Sequence, residues 1–356
     1  MKHSDRPVRV LVVDDSTMAR DMIIAVLSSA PGITVVGKAS NGLEAVAKVA
    51  ALKPDLVTMD IEMPLLGGLE AIERIMAEHP VPILVVTARG GVHMAFAAVS
   101  KGALDLIEKP DIDPKSGQEL IRKVRLLAGV DITRHQAVRA RTEKMARTPL
   151  AAGQPRPDGR IVAIAASTGG PQALQQILSR LPADFPAPIV ISQHIADGFA
   201  QGMADWLNCS TPLKVSVARN NEQIRPGCVY VNPSEFSMRI TGQGATILGG
   251  QEACRHYHPC CDTLLRSAAD AYGAHGVGVI LSGMGDDGVD GMRAIKTAGG
   301  TTLAQDAKSS VVYGMNRLAV ERGYVNRVVA LADIASELAV LVGGTRERGG
   351  QSDDRA

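Results

Sequence analysis

The sequence has no apolar run that approaches the roughly 20 residues a membrane-spanning helix requires. Its start, MKHSDRPVRV, lacks the apolar core of a secretory signal peptide. Both absences predict a cytoplasmic protein without direct membrane insertion. The formal net charge is only +1 and no basic recognition helix is present, which argues against nucleic-acid binding. No repeat of fixed period is found.

Cysteine is scarce and confined to the second half of the chain. The count of five is odd, so no complete disulfide framework is possible, and free thiols are expected in a reducing compartment. The cysteines are Cys209, Cys228, Cys254, Cys260 and Cys261. The length of 356 residues exceeds one ordinary domain, since domains of roughly 100–200 residues are typical, and therefore predicts two.

The first half alternates strand-like runs with amphipathic helical segments. Its predicted strands are Val8–Val13, Thr34–Ala39, Leu56–Met59, Ile83–Thr87 and Ala103–Ile107. Apolar residues that share one face of the first helix are Met18, Met22, Ile23, Val26 and Leu27. The last helix shows the same spacing at Leu120, Ile121, Val124 and Leu127. Five strands alternating with five helices predict a parallel sheet covered on both faces.

A second α/β region follows after a break in this pattern. Residues 127–159 are rich in arginine and end in proline steps, which predicts an interdomain linker, helical at first and then extended. Further predicted strands are Ile161–Ala166, Ile189–Gln193, Val215–Ala218, Cys228–Val231, Val277–Leu281 and Thr301–Ala304. The buried face of the next helix is predicted at Ala173, Leu174, Ile177, Leu178 and Leu181. The predicted domains are residues 1–126 and 160–343, with a disordered polar tail at 344–356.

Polar residues follow the strands of the first domain. Asp14 and Asp15 come after the first strand and Asp60 ends the third, so the three carboxylates are expected at one sheet edge. Three close anions repel each other unless a cation is bound, and Mg²⁺ fits best. Thr87 adds a hydroxyl and Lys109 an ammonium group, which completes the parts needed to phosphorylate an aspartate. The alternative is that Asp14 and Asp15 only cap the next helix.

Ser167 lies on a strand-to-helix turn in the second domain, followed by Gly169, Gly170 and Pro171. Small residues permit a sharp turn that exposes the hydroxyl, and the helix N-terminus favours developing negative charge. Taken alone, such a turn is more often a phosphate-binding turn or carries a simple capping serine. His194 follows another strand, however, and an acidic, glycine-rich loop follows a third. A serine, a histidine and an aspartate at three strand ends make a plausible catalytic triad.

A cysteine- and histidine-rich segment offers a different chemistry. Cys254, His256, His258 and Cys260 alternate, and both residue types suit zinc. On a strand, however, alternate residues lie about 6–7 Å apart, which is too spread for one tetrahedral ion. A loop near the active site is the favoured interpretation.

Three motifs of the first domain resemble the signature of two-component receiver domains: Val-Asp-Asp-Ser, Met-Asp-Ile-Glu-Met-Pro and Glu-Lys-Pro. The resemblance implies that Asp60 is the phosphoacceptor, that Asp14, Asp15 and Asp60 bind Mg²⁺, and that Thr87 and Lys109 form the switch pair. One departure is the Leu65-Leu66-Gly67-Gly68 stretch, where the family usually carries Asp-Gly. We expect it to affect the loop more than the chemistry.

Over nearly its whole length the chain resembles the chemotaxis response regulator protein-glutamate methylesterases, the CheB family. Ser-Thr-Gly-Gly, Gln-His, Gly-Met-Gly-x-Asp-Gly and a later Ala-Gln occur in the family's order and spacing. The resemblance implies Ser167 as nucleophile, His194 as general base and acid, and Asp287 as its orienting partner. It also implies the Met284 backbone N–H as an oxyanion-hole donor. Asp286 stands where the family often has Asn, so two adjacent carboxylates compete for one role.

The fold class implied is α/β, with two doubly wound parallel-sheet domains: a flavodoxin-like receiver followed by a Rossmann-like serine hydrolase. Ala165 replaces a usual glycine, and residues 255–262 match the family's Arg-x-Arg-Pro-Ser-Val-Asp stretch only roughly. The order Ser-His-Asp differs from the Ser-Asp-His order of the α/β-hydrolase fold, which is therefore not assigned.

The activity implied is hydrolysis of glutamyl methyl esters on cytoplasmic helices of chemoreceptors, with release of methanol and without a cofactor in the hydrolase domain. Deamidation of receptor glutamines is a second implied activity. A sensor histidine kinase would supply the phosphoryl group to a monomeric enzyme whose receiver covers the cleft until phosphorylated. The competing hypotheses are an adaptor without turnover and a receiver-driven transcription factor. The latter would need a helix-turn-helix output domain, which the sequence does not predict.

Overall fold

The computed structural model describes residues 6–111, 114–137, 140, 150, 154–155, 159–250 and 258–344. Within these ranges the chain forms two parallel sheets, each with helices on both sides. None of the helices in these ranges combines the length and the apolar character needed to cross a membrane. The α/β fold class expected from the sequence is confirmed.

The first sheet consists of β1 Val8–Val13, β2 Ile33–Ala39, β3 Leu56–Met59, β4 Ile83–Thr87 and β5 Asp105–Glu108. Its strand order is β2-β1-β3-β4-β5 and all pairs are parallel. Its helices are Thr17–Ser28, Gly42–Leu52, Gly68–Glu78, Val92–Lys101 and Pro114–Leu127. This flavodoxin-like order places a crevice between β1 and β3, outside their carboxyl ends. Four of the five predicted strands agree with the structure to within one residue. The fifth was predicted at Ala103–Ile107 and is observed at Asp105–Glu108.

The first helix shows how the amphipathic prediction succeeded and where it failed. Ile23 and Leu27 are buried against the sheet as expected, but Met18 is 77% exposed. At about 100° per residue, Met18 lies on nearly the opposite side of the helix from Leu27. The predicted face of the last helix of this domain is better defined, since Leu120, Val124 and Leu127 are fully buried.

The second sheet contains seven strands: β7 Ile161–Ala166, β8 Ile189–Gln193, β9 Lys214–Val217, β10 Cys228–Val231, β13 Gly276–Ile280, β14 Thr301–Gln305 and β15 Arg327–Val329. Their order is β15-β14-β13-β7-β8-β10-β9, and all pairs are parallel. The helices are Gly170–Leu178, Ala200–Ser210, Cys261–Tyr272, Val289–Thr297, Met315–Glu321 and Leu331–Val342. All six predicted strands are present, and the predicted buried face from Ala173 to Leu181 is confirmed. Because β7 lies between β8 and β13, three loops meet at the centre of this sheet.

The sequence did not predict an antiparallel hairpin, β11 Ser237–Ile240 with β12 Thr246–Gly249, nor the edge strand β15. It also missed the two-residue pairing of β6 Gln154–Pro155 with β16 Gly343–Gly344. Residues 132–137 of the predicted linker are helical. Gly344, the first residue of the predicted disordered tail, belongs to β16. The rest of that predicted tail lies outside the described residues.

The expectation of free cysteines holds for Cys209, Cys228 and Cys261. It is wrong for Cys260, which is disulfide-bonded. Disulfide formation depends on the distance between two sulfur atoms in the fold, and the spacing of cysteines along the chain does not provide that distance.

Candidate functional sites

The acidic residues of the first domain converge on the crevice between β1 and β3. Carboxylate oxygens of Asp14, Asp15 and Asp60 all lie within 4.8 Å of one another. The ammonium group of Lys109 is 2.8 Å from Asp14 Oδ2 and 2.7 Å from Asp60 Oδ2. Asp60 Oδ1 also accepts a hydrogen bond of 2.8 Å from the Ile61 backbone N–H, which fixes the carboxylate plane.

The electrostatics of this cluster suit a divalent cation. Burial raises the pKa of Asp14, and the neighbouring charge of Asp60 adds to the effect, while Lys109 opposes it. Burial lowers the pKa of Lys109, but the hydrogen bonds and charges of the two aspartates outweigh it, so the net direction is upward. Three carboxylates facing one ammonium group leave an excess of negative charge on oxygen ligands, the donor set that Mg²⁺ prefers.

Thr87 ends β4 at the same sheet edge and is 2% exposed, with its hydroxyl donating to Ala88 O at 3.3 Å. The loop at Gly68 packs against the aspartate backbone: a Cβ at Gly68 would lie 2.1 Å from Asp60 O. Glycine is therefore required at position 68, which retains the glycine of the usual Asp-Gly step. The departure lies at Gly67, where a Cβ would have only Ile61 O nearby, at 3.7 Å. Leu65 has φ +66° and is 82% exposed, so the irregularity of this loop faces solvent.

The turn that carries Ser167 is shaped by glycines. Ser167 directly follows β7, and its carbonyl accepts hydrogen bonds from Gly170 N at 2.7 Å and Gln193 Nε2 at 2.9 Å. Gly169 adopts φ +77°, and a Cβ there would lie 2.6 Å from Val311 Cβ. A Cβ on Gly283, in the loop after β13, would lie 2.6 Å from Ser167 Cβ. The segments of Gly283 and Val311 thus approach this turn more closely than a side chain at Gly283 or Gly169 would permit.

His194 follows β8 and faces the loop after β13. Its Nε2 lies 2.7 Å from Asp287 Oδ2, and the two side chains are only 12% and 3% exposed. The His194 backbone N–H donates to Ala166 O at 3.0 Å, which ties the histidine to the end of β7. Because β8, β7 and β13 are adjacent, the histidine, the serine and the aspartate meet at one edge of the sheet.

Asp287, and not Asp286, contacts the imidazole. Asp287 is 4% exposed and accepts backbone hydrogen bonds from Cys261 at 2.7 Å and Asp262 at 2.9 Å. Burial raises its pKa, but the hydrogen bond and charge of His194 and these backbone donors outweigh burial, so the pKa is lowered overall. Asp286 is exposed. The environment therefore keeps Asp287 ionised beside the histidine.

Two polar side chains behind these residues were not assigned a role from the sequence. Gln193 donates from Nε2 to both Ser167 O and His194 O, each at 2.9 Å. Asp262 Oδ1 accepts from Gly288 N at 3.0 Å and Gly291 N at 2.6 Å, so it orders the loop that holds Asp287. Burial raises the pKa of Asp262 to about 6. Its sequence signal was the partial match of residues 255–262, and Gln193 was visible only as the neighbour of His194.

A cavity of about 480 Å³ opens onto Ser167 and His194, with Met284 in the same wall. Its opposite side comes from the first domain, from β5 and the helix Pro114–Leu127. Residues of that side include Leu106, Arg122 and Lys123. Arg122 is held by Glu119, with Nε to Oε2 at 2.6 Å, and Lys123 is paired with Asp105. The first domain therefore covers the candidate catalytic residues.

A second contact between the domains joins the helices Val92–Lys101 and Ala200–Ser210. The rings of Phe96 and Trp206 stack with centroids 5.6 Å apart and an interplanar angle of 24°. Trp206 Nε1 donates to Ser100 Oγ at 3.2 Å. The contact combines one aromatic pair with one hydrogen bond, and no sequence motif pointed to it.

The cysteine- and histidine-rich segment is described only from His258 onward, so Cys254 and His256 of the considered zinc set lie outside the described residues. The His258 carbonyl accepts a hydrogen bond of 3.1 Å from Ile195 N, and His258 lines the cavity. This part of the segment borders the candidate active site.

Comparison with known proteins divides the chain at the same place as the two sheets. The response regulator receiver domain family matches residues 10–122, and the CheB methylesterase family matches residues 162–338. A relative from Paramagnetospirillum magneticum, named protein-glutamate methylesterase/protein-glutamine glutaminase 3, is 45% identical over 95% of this chain and 97% of its own.

A relative from Thermotoga maritima, named protein-glutamate methylesterase/protein-glutamine glutaminase, is 37% identical over 95% of this chain and 100% of its own. The crystal structure of the Thermotoga maritima CheB methylesterase catalytic domain aligns with a TM-score of 0.51 and 38% identity. The alignment covers 52% of this chain and 99% of that domain. The similarity thus extends over both halves of the chain in sequence and over the second half in structure.

Proposed function

The chain belongs to the CheB family of receiver-linked methylesterases, and from this membership we propose that it hydrolyses glutamyl methyl esters on chemoreceptors under the control of phosphorylation. The observation that carries the proposal is the Nε2–Oδ2 contact of 2.7 Å between His194 and Asp287, together with the cavity that His194 shares with Ser167. A catalytic triad needs this contact between histidine and aspartate, whereas an adaptor that binds a partner without turnover does not. The relatives' names also support glutamine deamidation as a second activity.

In the proposed mechanism, Ser167 Oγ attacks the ester carbonyl while His194 accepts its proton. Since Nε2 of His194 is engaged by Asp287, the proton goes to Nδ1. Asp287 stays ionised and stabilises the imidazolium. The carbonyl oxygen becomes an oxyanion, which the Met284 backbone N–H and the N-terminus of the helix Gly170–Leu178 would stabilise.

His194 then protonates the methoxide as it leaves, and methanol departs. A water molecule, deprotonated by the same imidazole, hydrolyses the acyl-enzyme and regenerates Ser167. For a glutamine substrate the leaving nitrogen must be protonated before it departs, so deamidation is expected to be slower. Every step of the hydrolysis uses side chains and backbone groups of this domain.

Control would come from the first domain. We assign Asp60 as the phosphoacceptor and Asp14, Asp15 and Asp60 as ligands of Mg²⁺, which when bound would neutralise the charge of the phosphoryl group. Lys109 lies three residues after Leu106, which lines the cavity. A phosphoryl group on Asp60 that binds Lys109 and Thr87 would therefore shift β5, the strand that covers the active site.

The proposal also includes the domain boundaries and the partners of the protein. We assign residues 1–126 to the receiver, 127–159 to the linker and 160–343 to the hydrolase. A sensor histidine kinase is the proposed phosphodonor, and methylated cytoplasmic helices of chemoreceptors are the proposed substrate, met by a cytoplasmic, monomeric enzyme. The receiver match supports the kinase, and the methylesterase match supports the receptor.

The test is methanol release from methylated receptor, measured with and without a small phosphodonor and Mg²⁺. Wild type should release methanol faster with phosphodonor, and Ser167→Ala should release none. The variant Asp60→Asn should keep the slow rate and lose the stimulation. Methanol release that does not respond to phosphodonor would leave the esterase but contradict the switch. No release from folded wild-type protein would favour the adaptor.

A further inference from the structure

Cys261 places a thiol beside the proposed triad that the hydrolytic mechanism does not use. It is a free cysteine, fully buried at the start of the helix Cys261–Tyr272. Its Sγ lies 3.4 Å from His194 Nε2, and its backbone N–H donates to Asp287 Oδ2. The sulfur, the imidazole nitrogen and a carboxylate oxygen of Asp287 all lie within 4.8 Å of one another.

These three atoms have nearly the spacing of a zinc site. Tetrahedral Zn²⁺, with bonds of about 2.0–2.3 Å, holds its ligand atoms about 3.3–3.7 Å apart. The Sγ–Nε2 separation of 3.4 Å already fits. The Nε2–Oδ2 separation of 2.7 Å would need to widen by less than about 1 Å.

The donor set also decides which cation is favoured. Thiolate and imidazole ligands favour Zn²⁺ and similar borderline-soft ions, whereas carboxylates alone favour Mg²⁺. The receiver cluster of Asp14, Asp15 and Asp60 offers only oxygen. The two clusters found among the described residues would therefore bind different metals, with Mg²⁺ in the receiver and Zn²⁺ in the hydrolase.

We propose that Cys261, His194 and Asp287 form a binding site for Zn²⁺ or a similar ion, and that its occupation switches the hydrolase off. Binding releases the thiol proton to solvent and moves the imidazole proton from Nε2 to Nδ1. The thiolate and the carboxylate neutralise the two charges of the ion. With Nδ1 protonated and Nε2 bound to metal, His194 cannot accept the proton of Ser167.

Cobalt binding to the full-length protein tests the site without any substrate. Co²⁺ bound to a thiolate gives an intense ultraviolet charge-transfer band, which oxygen ligands of the receiver cannot produce. Wild type and Ser167→Ala should show the band, because Ser167 is not a ligand. Cys261→Val and Cys261→Ser should both lose it. Cys209→Ser and Cys228→Ser, which remove the other free thiols of the described residues, should keep it.

The serine variant preserves side-chain size, so the test survives if the valine variant fails to fold. Absence of the band in wild type, or its persistence in folded Cys261→Ser, would overturn the site. Because the band is read without substrate, this result is independent of whether the chain is a methylesterase.

Inhibition is the second measurement, and it rests on the proposed esterase activity. Zn²⁺ should suppress methanol release by the wild type, and a chelator should restore it. Loss of a metal ligand should cost at least as much as loss of a supporting group, so Cys261→Ser should need at least about tenfold more Zn²⁺ for half-inhibition. Each variant is compared with its own metal-free rate. Equal inhibition of wild type and Cys261→Ser would overturn the proposed switch.

Discussion

The contact between His194 and Asp287 explains why one of two adjacent aspartates is suited to the triad. Asp287 is buried and receives three hydrogen bonds, whereas its neighbour Asp286 is exposed. Consecutive residues of a loop cannot both face one imidazole. The side chain that faces inward gains a lowered pKa and a fixed orientation, and the other remains in solvent.

Asp287→Asn should lower kcat by about 10³–10⁴-fold, because an amide neither stabilises the imidazolium nor selects the required tautomer. Methanol release per folded enzyme measures the loss. The matched control is Asp286→Asn, which restores the residue often found in the family and should change kcat less than about twofold. A large loss in Asp286→Asn with an active Asp287→Asn would reverse the assignment.

Asp262 makes stability depend on pH, since its pKa of about 6 exceeds the ordinary value of 3.8. The native state then binds more protons than the unfolded chain between these values, so the free energy of unfolding decreases as pH rises from about 4 to about 6. Asp262→Asn keeps an oxygen for Gly288 and Gly291 and removes the titration. Between pH 4 and pH 7 it should gain up to about 3 kcal/mol relative to wild type.

Denaturant unfolding at a series of pH values measures this difference. The wild type should lose more stability over this range than Asp262→Asn. Parallel profiles for the two proteins would contradict the raised pKa.

The turn between β7 and the helix Gly170–Leu178 depends on backbone freedom and on space. Gly169 combines a left-handed backbone with a neighbour, Val311, that a Cβ would meet at 2.6 Å. Gly323 has a similar φ of +73° but no atom within 4 Å of the added Cβ. Both glycines lie in the second domain, so the pair separates strain from crowding.

Gly169→Ala should therefore destabilise the protein more than Gly323→Ala. Each loses about 1–2 kcal/mol to the left-handed backbone. Gly169→Ala should lose about 1–3 kcal/mol more through overpacking. The midpoint of denaturant unfolding compares the two variants with wild type. Equal destabilisation would mean that Val311 can move away from the added methyl group without a cost in the free energy of unfolding.

The two domains meet at the cavity and at the helices Val92–Lys101 and Ala200–Ser210, and buried apolar side chains of both domains belong to one continuous cluster. In the first contact, β5 and the last helix of the receiver form one side of the cavity. In the second, the rings of Phe96 and Trp206 stack on each other. Phosphorylation of Asp60 replaces a carboxylate of charge −1 by an acyl phosphate of about −2, so the local charge changes by about one unit, which can shift an interface whose two states are nearly balanced.

Trp206 is the single tryptophan of the chain, so its fluorescence reports this contact directly. Phosphorylation that separates the domains should expose the ring to water and shift its emission to longer wavelength. Phosphodonor and Mg²⁺ should produce the shift in wild type. Asp60→Asn should show none, and a chelator should prevent it. An unchanged spectrum in protein phosphorylated at Asp60 would mean that this contact stays closed.

Sequence alone determined most of the two sheets and the candidate residues at their edges. Buried parallel strands are continuous apolar runs, and polar residues that end such runs must meet where the strands meet. For this reason Asp60, Ser167 and His194 could be named before their distances were known. The hairpin β11–β12 was not found, because strands of only four residues carry a weak pattern.

Only the tertiary structure decided which groups touch across distant segments. It brought Asp287 to His194, the Cys261 thiol to the same imidazole, and the first domain over the cavity. It also joined Phe96 to Trp206 and placed Cys260 in a disulfide. These contacts depend on side-chain direction and on the docking of whole elements. Periodicity fixes which face of a strand or helix is buried, but not what that face meets.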